Sequence, residues 1–188
     1  MEYSIIIILR NEITFLEGLL NSLLHQKDIV KNEIIFIDGN STDGSYEYLK
    51  QEAKKHSFIK VYKSSKSGFA SQRNLGLRKA RGKIIFFISA DTYAEDGWIE
   101  KMLTKFGDKK TVAVQGRIKN LPYKSLMSKI LSKSFTYIYQ RHKTGTNADY
   151  FSTVNVGIKK SQLKELKFDD KIVPIPSSYR IFFPISKI

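Results

Sequence analysis

The chain has 188 residues, 41% of them hydrophobic and 27% charged, a balance that favours one globular domain long enough to bury a core. It contains no cysteine, which excludes disulfide frameworks, zinc–thiolate sites and thiol nucleophiles and suits a reducing compartment. With 32 Lys and Arg against 18 Asp and Glu, the formal charge is +14. Such a surface attracts polyanions, but its basic residues are scattered rather than gathered in one tract, so charge alone fixes no partner.

The first apolar run, residues 3–9, reads as a strand. It is too short for a signal-peptide core and follows Glu2 rather than basic residues, so no targeting segment is expected. No stretch approaches the roughly 18 apolar residues of a membrane span. A helix follows over 12–25, then a strand at 33–37, a helix at 43–56 and a strand at 59–62. Next come a helix at 69–80, with Gly82 placed to stop it, a strand at 83–89 and a helix at 96–106. A strand at 111–116, a longer helix at 123–140 and a strand at 150–158 complete the periodic part. Pro174, Pro176 and Pro184 punctuate an irregular tail over 171–188.

This alternation predicts an α/β fold: a Rossmann-like open, mostly parallel sheet with helices on both faces. The runs 3–9, 33–37 and 83–89 are almost continuously apolar, as strands covered on both faces are. Ligands of such sheets bind beyond the carboxyl ends of the strands. Polar residues that follow an apolar strand are therefore the first candidates: Arg10-Asn11-Glu12, the stretch from Asp38 to Gly44, and Ser89-Ala90-Asp91.

Ser41 and Thr42 are helix N-cap types, and Asp43 suits a first helical turn, so these three read as capping residues. Asp38 is not needed for capping and reads as a ligand contact, able to accept from a base imide or a ribose hydroxyl. Arg73 lies in the early turns of a helix that Gly68 introduces. Its guanidinium can fork onto phosphate oxygens; the alternative is a solvated arginine paired with a carboxylate. Asp91, just past a buried strand, can hold Mg or Mn that bridges a diphosphate, or it is a solvated turn acid. Trp98 reads as a packing aromatic, and His25, His56 and His142 lack metal-ligand spacing and read as surface residues.

Taken together, Ser4-Ile5-Ile6-Ile7-Ile8-Leu9-Arg10-Asn11-Glu12, residues 37–44, Gln72-Arg73-Asn74-Leu75-Gly76 and Phe87-Ile88-Ser89-Ala90-Asp91 resemble glycosyltransferase family 2. These are inverting enzymes of the GT-A fold that use nucleotide-diphosphate sugars. The likeness spans residues 1–170, strongly to Trp98. It implies a nucleotide-sugar-binding half over 1–98 and an acceptor-side half over 99–170. Leu9, Asn11 and Glu12 would line the base pocket, Asp38 would meet the nucleobase, and Arg73 would sit near the diphosphate. Ser89-Ala90-Asp91 takes the place of the family's Asp-x-Asp motif, with Asp91 as ligand of a divalent Mg or Mn. The partners so implied are a UDP- or GDP-sugar and a glycan, lipid-linked or protein acceptor.

Two departures stand out. Ser89 replaces the motif's first acid, although its hydroxyl can still bond to ribose. The second concerns the general base, which the family carries after a Phe-Asp-Glu-like segment. Phe168-Asp169-Asp170 resembles that segment, yet no Asp or Glu follows it. Either Asp149, Asp169 or Asp170 substitutes as base, or the chain is truncated and its catalysis weak. The rival reading is therefore a catalytically weak nucleotide-sugar-binding remnant. A nucleic-acid binder is suggested by charge alone, without a recognition motif. Tyr123, Leu126, Met127, Ile130, Leu131, Phe135 and Ile138 form one apolar face with basic neighbours. Core packing is the first reading of that face. The second is peripheral contact through 123–143 with the inner face of the membrane, in an otherwise cytoplasmic protein.

Overall fold

The computed structural model describes residues 1–66, 68–118, 152–163 and 168–169. The expected helix at 123–140, His142, Asp149, Asp170 and the tail at 171–188 lie outside these residues. At the centre is β1 (Tyr3–Leu9), hydrogen-bonded on one side to β2 (Glu33–Asp38) and on the other to β4 (Ile84–Ile88), both parallel to it. Beyond β2 lies β3 (Ile59–Lys63), also parallel. Beyond β4, β6 (Asn155–Lys159) runs antiparallel and carries β5 (Ala113–Gln115) on its outer side. The order is thus β3-β2-β1-β4-β6-β5.

Strand periodicity divides the core into two layers. Ile5, Ile7 and Leu9, with Ile34, Phe36, Phe86 and Ile88, face α1 (Ile13–Leu24), α2 (Ser45–Lys55) and α4 (Trp98–Lys105). Ile6, Ile35, Ile37, Ile85 and Phe87 face the other way, towards α3 (Phe69–Lys79) and Phe168. The sheet is therefore covered on both faces, as the unbroken apolar runs require. Trp98 packs edge-on against Phe86 with ring centroids 5.6 Å apart, and its Nε1 donates to Asn155 Oδ1 at 2.9 Å. Two short 3-10 turns, Ile29–Lys31 and Lys160–Leu163, have no periodic signal because each is about one turn long, too short for a spacing to recur. Among the described residues no helix is long and apolar enough to cross a membrane.

The amino ends of the strands are tied by a buried acid. Glu33 Oε1 accepts from Ser4 Oγ at 2.6 Å and from the Arg81 N–H at 2.7 Å, and Ser4 Oγ accepts from the Gly82 N–H at 2.8 Å. Arg81 Nε adds a longer ion pair to Glu33 Oε2 at 3.4 Å. Gly82 differs here from its expected part as a helix stop. Helix α3 ends at Lys79, and Ala80 is already extended at φ −68° and ψ 138°. The glycine is required two residues later because its α-carbon lies directly on the backbone of Tyr3 and Ser4, where a Cβ would collide. Backbone cannot give way as a flexible side chain does, so Gly82→Ala should destabilise by about 1–3 kcal/mol or more. The measure is the urea midpoint, and an unchanged midpoint would show that the contact is loose.

Candidate functional site

The chain reverses direction on either side of β1: β2 and β3 extend one way, β4 the other. The crevice beyond the carboxyl ends of β1 and β4 is thus the topological switch point where open α/β sheets bind ligands. The structure brings together there most of the residues singled out by sequence. Leu9 ends β1 and is buried, exposed Asn11 turns the chain with φ 58°, and Glu12 precedes α1 half-buried.

The loops after β1 and β2 are laced together. Asn11 N–H donates to Ser41 Oγ at 2.9 Å, and Asn11 Oδ1 accepts the Thr42 N–H at 2.8 Å. Asp43 Oδ2 accepts the Ile13 N–H at 2.9 Å, capping α1 rather than its own helix alone. Its other oxygen accepts from the Ser45 N–H at 3.0 Å and Oγ at 2.6 Å. Burial pushes the Asp43 carboxyl up, but these hydrogen bonds outweigh it and hold the group below its ordinary range. Ser41 and Thr42 do not cap α2, whose N-cap is Gly44 at φ 92°. Asp38 does serve the turn: its wholly buried carboxylate accepts the Ser41 N–H at 3.1 and 3.3 Å.

At the end of β4, Ser89 is half-buried, Ala90 buried and Asp91 exposed. Burial, followed by the negative charges of Asp91 and Asp43, pushes the Glu12 carboxyl above its ordinary range. Glu12 and Asp91 therefore share one electrostatic environment. Among the described residues no group of three or more His, Cys, Asp or Glu could by itself hold a metal ion. A hard cation of the Mg kind takes only one or two protein carboxylates and completes its shell with water and substrate phosphates, so Asp91 and Glu12 offer the donor type such an ion would need.

Arg73 departs furthest from a solvated helix arginine. It is 7% exposed, and its only hydrogen bond among the described residues runs from Nη2 to Thr153 Oγ1 at 2.8 Å. Nε and Nη1 are buried without a hydrogen-bond partner. The guanidinium carbon lies 5.7 Å from the Phe69 ring centre and 5.4 Å from that of Phe168. Burial pushes the group down to about 9, still charged at neutral pH. Thr153 leads into β6, whose Asn155 is paired with Ile88, so the cation lies near the end of β4 where Ser89 begins. Beside it, buried Gln72 Oε1 also lacks a partner. Asp169 is exposed and follows buried Phe168, whose ring meets Phe87 edge-on at 5.7 Å.

Sequence reasoning assigned no part to Gln72, Asn74 or Thr153. Thr153 is 80 residues from Arg73, and no local pattern announces such a pairing. Gln72 and Asn74 lay inside a recognised motif, but only the fold shows where they point.

The family described as Glycosyl transferase family 2 matches residues 4–167. The cholesterol galactosyltransferase of Borreliella burgdorferi is 30% identical over 102 residues, covering 54% of this chain and 28% of that protein. The chain thus spans less than a third of that relative's length. Among solved structures, the mannosyltransferase PcManGT of Pyrobaculum calidifontis, in complex with GDP-Man and Mn2+, has a TM-score of 0.73 at 19% identity. That likeness covers 91% of this chain and 48% of that one. S. aureus TarS 1–349 in complex with UDP-GlcNAc has a TM-score of 0.66 at 19% identity, covering 90% of this chain and 49% of that one. The two structures establish a shared GT-A fold. The family match, which runs from the first strand to the edge of Phe168, makes this chain a member of glycosyltransferase family 2.

Proposed function

We propose that the chain transfers a sugar from a nucleoside-diphosphate donor to an acceptor hydroxyl, with inversion at the anomeric carbon. The observation that carries this reading is Arg73, a buried cation with two N–H-bearing nitrogens that have no hydrogen-bond partner among the described residues, near the end of β4. A diphosphate supplies the acceptor oxygens those groups lack. Leu9, Asn11 and the loop that buried Asp38 organises form the base end, while Ser89 and Ala90 accompany the ribose. UDP- and GDP-sugars are the donors that extend to this chain the chemistry named for its structural neighbours.

Residues 1–98 hold the donor and residues 99–170 face the acceptor, a glycan, lipid or protein hydroxyl. Asp91, with Glu12 in the same electrostatic environment, would hold a divalent Mg or Mn, which would supply neutralising charge for the diphosphate. In the transfer, the acceptor oxygen bonds to the anomeric carbon as the bond to the diphosphate oxygen breaks. The hydroxyl proton passes to a carboxylate, here Asp169, with Asp149 and Asp170 as the further candidates.

A second reading, a donor-binding remnant with weak catalysis, is favoured by Ser89 in place of an acid. Donor hydrolysis separates the two, since a catalytic site leaks sugar to water whereas a remnant binds donor without turnover.

Two outcomes are expected. Asp91→Ala should abolish the Mn dependence of UDP and GDP binding, a loss on the order of 2–3 kcal/mol, with the fold intact. Calorimetry that finds equal affinity with and without Mn in the parent removes the metal assignment. Arg73→Met should leave the melting temperature of the free protein unchanged or higher, because replacing a buried unpaired charge relieves its desolvation. The same variant should lose the stabilisation by nucleoside diphosphate. In the parent that stabilisation is about 2.7 kcal/mol at a hundredfold excess over Kd, or roughly 5–10 °C for a chain of this size. A variant that melts far lower yet keeps the ligand shift would mean that the cation is structural.

A further inference from the structure

Asn74 follows Arg73 on α3, and its carboxamide spans the fold. Nδ2 donates to the Phe168 carbonyl at 2.9 Å, and Oδ1 accepts the Phe168 N–H at 2.9 Å, across 94 residues of sequence. One side chain thus satisfies both backbone groups of one distant residue, as a neighbouring strand would. The Phe168 ring is held as well, edge-on against Phe87 on the sheet and close to the Arg73 guanidinium. Asp169 is the next residue and its side chain is exposed.

Helix formation does not call for asparagine at this place, since Asn is among the weaker helix formers. Nor does the sheet core, which Leu75, Leu77 and Ala80 of the same segment already meet. What the Asn74 amide accomplishes is the fixing of one peptide unit, and that unit carries the acid-bearing segment.

We propose that Asn74 is a positioning residue, clamping Phe168 to the donor-side helix so that the Asp169 carboxylate is presented at the crevice where Arg73 lies. The proposal rests on the transferase reading with Asp169 as base. It deepens that reading by naming the group through which the donor half places the acid. A carboxylate displaced by about 1 Å can lose on the order of 10²-fold in rate. Loss of the clamp should therefore lower kcat while leaving donor affinity alone.

The test uses UDP-N-acetylglucosamine and GDP-mannose hydrolysis with Mn in four proteins: parent, Asn74→Ala, Asp169→Asn and the double variant. Asn74→Ala is expected to lower kcat by roughly 10-fold or more, with donor KM and UDP or GDP affinity within about twofold of the parent. Added to Asp169→Asn, it should cause no further loss, because both changes act through one carboxylate. Hydrogen exchange at the Phe168 amide should quicken while the amides of β1 and β4 keep their protection. If Asn74→Ala does not fold, the isosteric Asn74→Asp takes its place. It keeps the acceptor for the Phe168 N–H but not the donor, and it should fall between parent and Asp169→Asn.

Equal and independent losses in the two single variants would overturn the proposal. So would a fall in donor affinity that matches the fall in kcat, unchanged exchange at Phe168, or an Asp169→Asn variant as fast as the parent. A parent without turnover on either donor overturns the transferase reading and the positioning role together. A parent with turnover that Asn74→Ala equals overturns the positioning role alone.

Discussion

Everything in this fold is arranged around β1, a strand paired in parallel on both edges and covered on both faces. From Ile5 to Ile7 its side chains have no exposed surface, and its backbone groups are engaged by β2 and β4. A strand so enclosed cannot host chemistry along its length, because an unpaired polar group there would lose its hydration without compensation. Polar function is displaced to the first residues past its carboxyl end, where the backbone leaves the sheet. The departure is sharp: Asn11 and Asn40 both take the left-handed conformation, at φ 58° and 63°, in the loops after β1 and β2. Asparagine is among the few side chains that accept this region readily. The hydrogen bonds that join the two loops then fix the wall of the crevice.

The two ends of the sheet treat buried charge in opposite ways, and the contrast is informative. At the amino end, Glu33 is 2% exposed and satisfied by Ser4 and by the backbone and side chain of Arg81. That acid is structural: it ties β1, β2 and the segment before β4 into one edge. At the carboxyl end, Arg73 is about as deeply buried but holds a single neutral hydroxyl and two aromatic faces. Contacts of guanidinium with aromatic rings contribute up to about 2 kcal/mol when desolvated, while the effective penalty for a buried ion is several kcal/mol. On the reading proposed above, a bound diphosphate would remove that deficit.

Most of the fold was legible because hydrophobic runs and helical periods are local signals. Strand β1 spans the residues expected for it, and α3 differs from its expected range only by one residue at its end. Less legible were the positions whose role depends on distant backbone. Gly82 looked like a helix stop because glycine after a helix usually is one, but here the constraint comes from Tyr3 and Ser4. Asp38 read as a ligand contact because capping does not need it, yet its carboxylate holds the Ser41 N–H. Motif order was enough to place Leu9, Asn11, Glu12, Asp38 and Asp91 at or just past the carboxyl ends of β1, β2 and β4. It could not reveal that Arg73 would be buried, because burial depends on Thr153, Phe69 and Phe168 closing around it.

The motif on α3 also shows how one short segment can serve three separate walls. Successive residues of a helix point about 100° apart, so three in a row sweep through more than half of its circumference. Gln72 is directed at Gly39 past the end of β2, where only the missing Cβ of that glycine leaves it room. Arg73 turns to Thr153 and the end of β4, and Asn74 turns to the backbone of Phe168. A single rigid element thus reaches the loop after β2, the segment entering β6 and the backbone of Phe168. Gly76 lets that element lie directly on Ile6 and Ile37 of the central strands, so its position is set by the most buried part of the sheet. Displacing α3 would therefore disturb all three walls at once, whereas a change at one of these residues should be felt at one wall. The three consecutive side chains can in this way be separated by experiment although they share one turn of helix.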